Sequence, residues 1–312
     1  MLFSKKKNDP FRDGCRFFTG TVLGSRAQVG RLLLLTDRGA SEHWLGDVKE
    51  SLVFAGFPVT ECRYGGADAL QEALETVRPS VLFVLGGGKL WQVTERLMTA
   101  YPAIHYAVMP TTFAGALRVP ARGARLPDSF FFDGETLSTL TEEAYREGIA
   151  YAVRLGMTFD RWVFEAVYAT VPHGEIVRRS VGIWHDIREA EDSHNSHARE
   201  RYAFGTVLGR AIHTLSGGEL TEGEALAIGM VLEAGVATRG GISRGRYFGD
   251  LVGMLTFRGL PTAFDVSVDS LIEALKKQEV SAKEVTLCLP VRCGECVPHT
   301  LTYDKLSVLL EN

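Results

Sequence analysis

The first half of the chain alternates short apolar runs with amphipathic segments, and this alternation restricts the fold more than any other feature. Apolar runs typical of buried strands cover residues 31–37, 58–64, 81–85 and 104–109. Between them, residues 67–77 and 90–101 carry their apolar side chains at helical spacing. Strands that alternate with helices form a parallel sheet with helices on its faces. We therefore predict an α/β domain with a Rossmann-like parallel sheet.

The second half of the chain has a different pattern. Long helical patterns cover residues 141–169, 202–215 and 223–240, and the next strand-like run is residues 284–291. A mainly α-helical domain is therefore expected to follow the α/β domain. We place the α/β domain at residues 1–135 and the helical domain at residues 136–312.

Composition and charge argue against several classes of partner. The 312-residue chain has a net charge of -4, which gives no basic surface for nucleic acid. Its basic run, Lys5 to Lys7, lies in a short polar tail, and no apolar stretch approaches the roughly 18–20 residues of a membrane span. Five cysteines, an odd number, do not suggest a disulfide framework. Because no signal-peptide core precedes the first strand, the sequence predicts a cytoplasmic protein.

Several short motifs follow one another in a fixed order. They are GGG at 86–88, PTT at 110–112, LTEEAYREGIAYAVRLG at 140–156, AFGTVLGRAIH at 203–213 and EGEALAIGM at 222–230. In order and separation they resemble the motifs of 3-dehydroquinate synthase and the related sugar phosphate cyclases. The resemblance runs from roughly Arg31 to Leu306. It implies a dehydroquinate synthase-like fold and a dimeric protein.

The resemblance also shows what this chain has replaced. Family members hold one divalent metal, usually zinc, with a Glu and two His, and the matching positions here are Tyr151, Thr206 and Glu222. Zinc takes three or four good donors, so one carboxylate and two hydroxyls form a poor site. We therefore expect no metal at the family site and interpret the chain as a degenerate family member.

Arginines replace two further family residues on the same motifs. Arg154 stands where the family has a lysine, and Arg210 where it has a second histidine. With Tyr151 and Glu222 they are our candidates for the residues of the cleft. Guanidinium groups bind carboxylates and phosphates well, so an anionic small molecule is the predicted ligand. If further arginines line the same cleft, they add to this preference: Arg118, Arg122 and Arg125.

Part of a nucleotide site is also retained. The matching positions are Asp37, Gly86, Gly87, Gly88, Thr111 and Thr112. Glycines at a helix start let a phosphate approach backbone amides, so NAD stays a cofactor candidate. Trp91 stands where the family has a small residue, and a tryptophan there would crowd the nicotinamide. We interpret these positions as a vestigial site and assign no cofactor.

Three functions remain open from the sequence. The first is a pseudoenzyme that acts by binding, either as a sensor of an anionic metabolite or as a homodimer or a heterodimer with an active relative. The second is a metal-independent enzyme acting on a phosphorylated or carboxylated molecule, in which Tyr151, Arg154 and Glu222 are acid, anion clamp and base. The third is an active sugar phosphate cyclase.

Two other metal sites are also conceivable. Cys288, Cys293, Cys296 and His299 have spacings that suit a thiolate site, although Cys288 could instead be a core residue of its strand. Glu147 lies one helical turn before Tyr151 and could form, with Glu222, a relocated site for magnesium or manganese.

Overall fold

The computed structural model describes residues 11–13, 19–193, 197–278 and 283–311, so the basic run at Lys5 to Lys7 and Cys15 lie outside the described residues. The chain divides into two compact units. The first contains residues 1–145 and 172–182, and the second contains residues 146–171 and 183–312. These units differ from a single cut at residue 135, because the segment 172–182 belongs to the first unit. The predicted domain boundary thus stays a prediction.

The first unit contains a six-stranded parallel sheet in the order β1-β6-β5-β4-β2-β3. Its strands are β1 Phe11–Asp13, β2 Leu32–Thr36, β3 Val59–Arg63, β4 Val81–Gly86, β5 His105–Pro110 and β6 Ser129–Phe132. Strands β2 and β4 are buried at every residue, which explains their continuous apolar runs. The predicted parallel sheet is confirmed, and β1 and β6 join it as strands that the sequence pattern did not reveal.

Helices cover this sheet and complete the core of the first unit. They are α1 Thr19–Gly24, α2 Arg38–His43, α3 Leu45–Phe54, α4 Ala67–Val77, α5 Gly88–Leu97 and α6 Phe113–Leu117, with 3-10 turns at Met98–Ala100 and Gly134–Thr139. Leu34 and Phe83 of the sheet pack in one cluster with Val48 and Leu52 of α3. The carboxyl ends of β2, β4 and β5 meet at one edge, where ligands bind in folds of this type.

The second unit is mainly helical, as predicted. Two helices, α7 Glu142–Thr158 and α9 His173–Asp192, have residues in both units, and the others of this unit are α8 Arg161–Ala169, α10 Ala198–Arg201, α11 Thr206–Leu215, α12 Glu222–Arg239, α13 Gly245–Phe257, α14 Val268–Gln278 and α15 Tyr303–Glu311. An antiparallel hairpin joins them, with strands β7 Glu284–Arg292 and β8 Glu295–Thr302. Leu208, Ile228, Leu275 and Leu287 belong to a single core cluster of α11, α12, α14 and β7.

Helices α11 and α12 cross in unusually close contact. A Cβ atom on Gly229 would lie 2.2 Å from the carbonyl oxygen of Gly205 and 2.5 Å from the amide nitrogen of Gly209. Those neighbours are backbone atoms, which cannot rotate away as a side chain can. Gly229 of α12 thus sets the distance between the two helices.

This contact gives a stability prediction. Gly229→Ala is expected to lower the free energy of unfolding by about 2 kcal/mol, because the helices must move apart to admit the methyl group. Gly249→Ala on α13 is the matched control, since its Cβ would meet nothing within 4 Å. There the gain in helix propensity should raise stability by about 0.5–1 kcal/mol. Urea unfolding of both variants measures the difference, and equal effects would contradict the close crossing.

Among the described residues, no helix combines the length and the apolar character needed to cross a membrane.

Candidate functional site

A cavity of about 500 Å³ lies within the second unit. Helices α7, α11, α12 and α14 supply its walls. Its lining includes all four residues that the sequence predicts for the cleft, Tyr151, Arg154, Arg210 and Glu222, together with Thr206. Residues that are up to 71 positions apart in the sequence are thus collected in one place.

Three helices position these side chains. Tyr151 and Arg154 are three residues apart on α7 and therefore lie on one face of it. Thr206 is the first residue of α11, and Glu222 is the first residue of α12. The start of α12 packs directly on α7, because a Cβ on Gly223 would lie 2.7 Å from the Cα atom of Glu147.

Arg154 is the most constrained residue of the cavity. Its side chain is buried, with the residue only 5% exposed. The guanidinium carbon lies 3.7 Å from the ring centre of Tyr202 and 4.7 Å from that of Tyr151. Nη1 donates a hydrogen bond to Thr206 Oγ1 at 3.2 Å, whereas Nε is buried and has no hydrogen-bond partner. Within the described part of this unit, no carboxylate forms an ion pair with it.

This arrangement leaves a buried guanidinium without an ion-pair partner among the described residues of its unit. Cation–π contacts with two rings offset part of the cost of removing a guanidinium from water. Burial of an ion without a partner nevertheless costs several kcal/mol, and a paired anion reduces that cost. The cavity is therefore suited electrostatically to a negatively charged group.

Tyr151 lies beside this charge as a neutral phenol. Burial raises the pKa of Tyr151 to about 12, and the nearby Arg154 acts in the opposite direction. The hydroxyl therefore stays protonated near neutral pH and can donate a hydrogen bond. Glu222, in contrast, is exposed, and it lines the same cavity.

Comparison with known proteins shows which proteins this chain is similar to. Residues 147–280 match the family model described as 3-dehydroquinate synthase C-terminal. The chain is 27% identical to the 3-dehydroquinate synthase of Pelobacter propionicus, over 91% of this chain and 90% of the relative. It is 24% identical to that of Streptococcus gordonii, over 94% and 93%. The chain is a 3-dehydroquinate synthase-like protein.

Solved structures show the same fold for this dehydroquinate synthase-like protein. The 2-epi-5-epi-valiolone synthase from Streptomyces hygroscopicus subsp. jinggangensis, solved with NAD+ and Zn2+ bound, has a TM-score of 0.78 at 17% identity and covers 100% of this chain and 98% of its own. A 2-deoxy-scyllo-inosose synthase has a TM-score of 0.75 at 16% identity and covers 97% and 96%. The family resemblance and the fold predicted from the motifs are thus confirmed.

The metal of the family does not fit the residues of this dehydroquinate synthase-like protein. The three matching positions, Tyr151, Thr206 and Glu222, provide two hydroxyls and one carboxylate. The Arg154 guanidinium donates to Thr206 Oγ1, so a positive charge lies beside one of these three positions. Throughout the described residues, no group of three or more His, Cys, Asp or Glu side chains is placed to hold a metal ion.

The cysteine-rich metal site that the sequence left open does not form among the described residues, and the alternative reading of Cys288 as a core residue of its strand fits the geometry. In the hairpin, Cys288 lies opposite Pro298, whereas His299 lies opposite Leu287. Neighbouring residues of a strand point to opposite faces, so His299 faces away from Cys288. Cys288 Sγ instead donates to the carbonyl of Arg201 at 3.1 Å. Burial raises the pKa of Cys293 to about 12.

The nucleotide-site candidates of the first unit do meet at one edge of the sheet, but they bind one another. Asp37 caps the start of α2, where its Oδ1 accepts from the amide of Ala40 at 2.9 Å. Its Oδ2 accepts from the amide of Gly87 at 2.7 Å. Gly86 has to be glycine here, since a Cβ would lie 2.5 Å from that same oxygen. The amide of Thr111 donates to the carbonyl of Gly86 at 2.9 Å.

The remaining candidates are similarly engaged. Thr112 caps the start of α6, and its Oγ1 accepts from the amide of Gly115 at 3.1 Å. A Cβ on Gly88 would lie 3.1 Å from the Cα atom of Gly115, so the starts of α5 and α6 are in contact. A phosphate at this turn would have to displace the Asp37 carboxylate, which repels it. NAD in the family's manner therefore does not fit the turn as it is arranged here.

The bond between Asp37 and Gly87 gives a second stability prediction. Asp37→Ser retains a side chain that can cap α2 but is too short to reach the amide of Gly87. We expect it to lower the free energy of unfolding by about 1–2 kcal/mol, because that amide loses its partner. Asp37→Ala removes the cap as well and should cost about 1 kcal/mol more. Urea unfolding measures both, and an unaffected Ser variant would show that the bond contributes nothing.

Two of the arginines predicted for the cleft have other roles. Arg118 forms a double hydrogen bond with the wholly buried Glu95, at 2.7 and 2.9 Å. Arg125 binds Asp128 at 2.6 Å. Arg122 is exposed in the same segment of the first unit. Arg154 and Arg210 are the ones that line the cavity.

Trp91 is also a core residue of the first unit. It is completely buried, and its ring packs against that of Phe130 at a centroid distance of 5.5 Å. The guanidinium of Arg118 covers it at 4.8 Å. The large side chain that replaces the family's small residue is thus accommodated within the core.

Two residues of the second unit escaped the sequence prediction. Tyr202 covers Arg154, although it lies 48 positions later, and no local pattern indicates this contact. Glu233 is wholly buried on α12. Its signal was visible as a single acid in the otherwise apolar run LAIGMVLEAGVA.

Proposed function

We propose that this dehydroquinate synthase-like protein has lost zinc- and NAD-dependent cyclase activity and acts by binding a small phosphorylated or carboxylated molecule in the cavity of its second unit. One observation carries the binding proposal. Arg154 is a buried guanidinium that lines the cavity, has an unpartnered Nε and forms no ion pair within the described part of its unit. A bound anion would supply the missing counter-charge.

The donor set supports the proposed loss of cyclase activity. Tyr151 and Thr206 present hydroxyls at positions where the family resemblance implies metal ligands, and Arg154 adds a positive charge beside them. In the first unit, Asp37 occupies the amide of Gly87 that a phosphate of NAD would use. The replaced ligand positions and the engaged amide of Gly87 both support the proposed loss.

A metal-independent enzyme is the second candidate. Tyr151 is a protonated phenol, Glu222 is a carboxylate, and both line the cavity together with Arg154. An acid, a base and an anion clamp in one cavity are what proton transfer on an anionic substrate requires. Pairing with a second copy or with an active relative stays a prediction from the sequence.

Calorimetric titration with inorganic sulfate tests the binding proposal. Sulfate carries the negative charge and the hydrogen-bond acceptors that the guanidinium of Arg154 can bind, and it has no titrating group near neutral pH. We expect saturable binding of one sulfate per chain, accompanied by a rise in the midpoint of thermal unfolding. Absence of saturable binding in a low-salt buffer would overturn the proposal.

A further inference from the structure

The buried carboxyl group of Glu233 caps the first turn of α11. Its Oε2 accepts from the amide of Gly205 at 2.8 Å, and its Oε1 accepts from that of Leu208 at 3.5 Å. Gly205 precedes the first residue of α11 and has no side chain to cap the helix. The carboxyl group of a neighbouring helix thus takes the place of a local cap.

The same end of α11 forms part of the cavity wall. Gly205 and Thr206 both line the cavity, and Thr206 Oγ1 accepts the hydrogen bond from Arg154. Glu233 and a bound anion would therefore lie on two sides of one helix terminus. The partial positive charge of that terminus attracts a negative charge on either side.

Glu233 is wholly buried. The backbone amides of Val207 and Cys288 also face its carboxyl group, and Cys296 is close enough for the two groups to interact electrostatically. On the cavity side, Arg154 of α7 donates a hydrogen bond to Thr206, the residue that follows Gly205. Burial raises the pKa of Glu233 to about 8, and the backbone hydrogen bonds oppose that rise. The pKa of the buried Cys296 thiol is raised well above its ordinary value, so that thiol stays neutral in the same range.

We propose that the protonation state of Glu233 controls anion binding in the cavity: the neutral acid favours a bound anion and the carboxylate opposes it. This inference rests on the proposed anion-binding function. Its physical basis is the shared helix terminus, whose positive end serves the cavity when Glu233 is neutral. Ionised Glu233 neutralises that end and adds a negative charge in a medium of low dielectric.

Glu233 is mostly protonated below about pH 8 and loses its proton above it, so anion affinity should fall as the pH rises through this range. Linkage makes the effect reciprocal, and an anion that binds near pH 8 should cause the protein to take up protons.

Sulfate titration of the whole chain at several pH values tests the proposal. Between about pH 6.5 and about pH 9.5, sulfate affinity should fall about tenfold. In Glu233→Gln, which keeps an oxygen for the amide of Gly205 but has no charge, affinity should stay within about twofold over the same range. His197→Gln is the control for a titratable side chain of the same unit that does not line the cavity, and it should keep the wild-type pH profile.

Each outcome decides a separate point. A wild-type affinity that does not change with pH, or a Glu233→Gln profile identical to that of the wild type, overturns the role of Glu233 and leaves the proposed anion binding intact. If the Gln variant fails to fold, wild-type calorimetry in two buffers of different ionisation enthalpy replaces it, and no proton uptake near pH 8 overturns the proposal. No sulfate binding at any pH overturns the proposed function, and this inference with it.

Discussion

Arg154→Met is expected to weaken sulfate binding at least a hundredfold and to leave the fold nearly as stable as before. Methionine fills much of the same volume between Tyr151 and Tyr202 but removes the charge. The lost cation–π contacts and the lost hydrogen bond to Thr206 destabilise the fold, whereas relief of a buried, unpaired ion stabilises it. The free energy of unfolding in the absence of anions should therefore change by less than about 1 kcal/mol. Calorimetry and urea unfolding measure the two effects.

Arg118→Met is the matched control for this variant. The same substitution there removes the partner of the wholly buried Glu95, to which Arg118 is bound at 2.7 Å. An uncompensated buried carboxylate should cost about 3 kcal/mol of stability, with sulfate binding unchanged. A comparable loss of stability in Arg154→Met would contradict the proposed anion binding. It would show that Arg154 has a structural partner in the folded protein and is not free to bind a ligand.

Restoring the family's ligands is expected to create a zinc site. In the triple variant Tyr151→Glu, Thr206→His and Glu222→His, three good donors would replace two hydroxyls and one carboxylate at the walls of one cavity. We expect a dissociation constant for zinc of about 1 μM or lower, whereas the wild type should bind at least a thousandfold more weakly. The physical reason is that the helices carrying these positions already line a common cavity.

Competition of the variant with a chromogenic zinc chelator measures this affinity. The three single variants are the controls, and each should bind zinc much more weakly than the triple variant because it lacks the full donor set. A folded triple variant without zinc affinity would show that the backbone no longer places these three positions around one point. The motif correspondence would then hold for the fold but not for the site.

The parts of the fold that the sequence predicts are those with strong local signals. Buried strands such as β2 and β4 can be recognised in the sequence as continuous apolar runs, because both faces of a parallel sheet are covered. Strands β1 and β6 have three and four residues, too few for a pattern to stand out. The cavity could be predicted because Tyr151, Thr206 and Glu222 lie on motifs whose order indicates the family.

What could not be predicted depends on contacts that are distant in the sequence. Asp37 was identified as a nucleotide contact, but its actual partner, the amide of Gly87, comes 50 residues later. Tyr202 and Glu233 act on Arg154 and Gly205 only because α10, α11 and α12 pack around them. Local spacing even misled in the hairpin, where the alternation of a strand separates His299 from Cys288.

The most direct test of the proposed loss of cyclase chemistry is the metal content of the freshly purified wild-type protein. Elemental mass spectrometry without chelators in any buffer would measure it, with Glu222→Ala prepared in parallel. The account predicts far less than one divalent metal ion per chain, and no difference between the two proteins. About one metal ion per wild-type chain, lost in Glu222→Ala, would contradict it and return this cavity to the metal chemistry of its family.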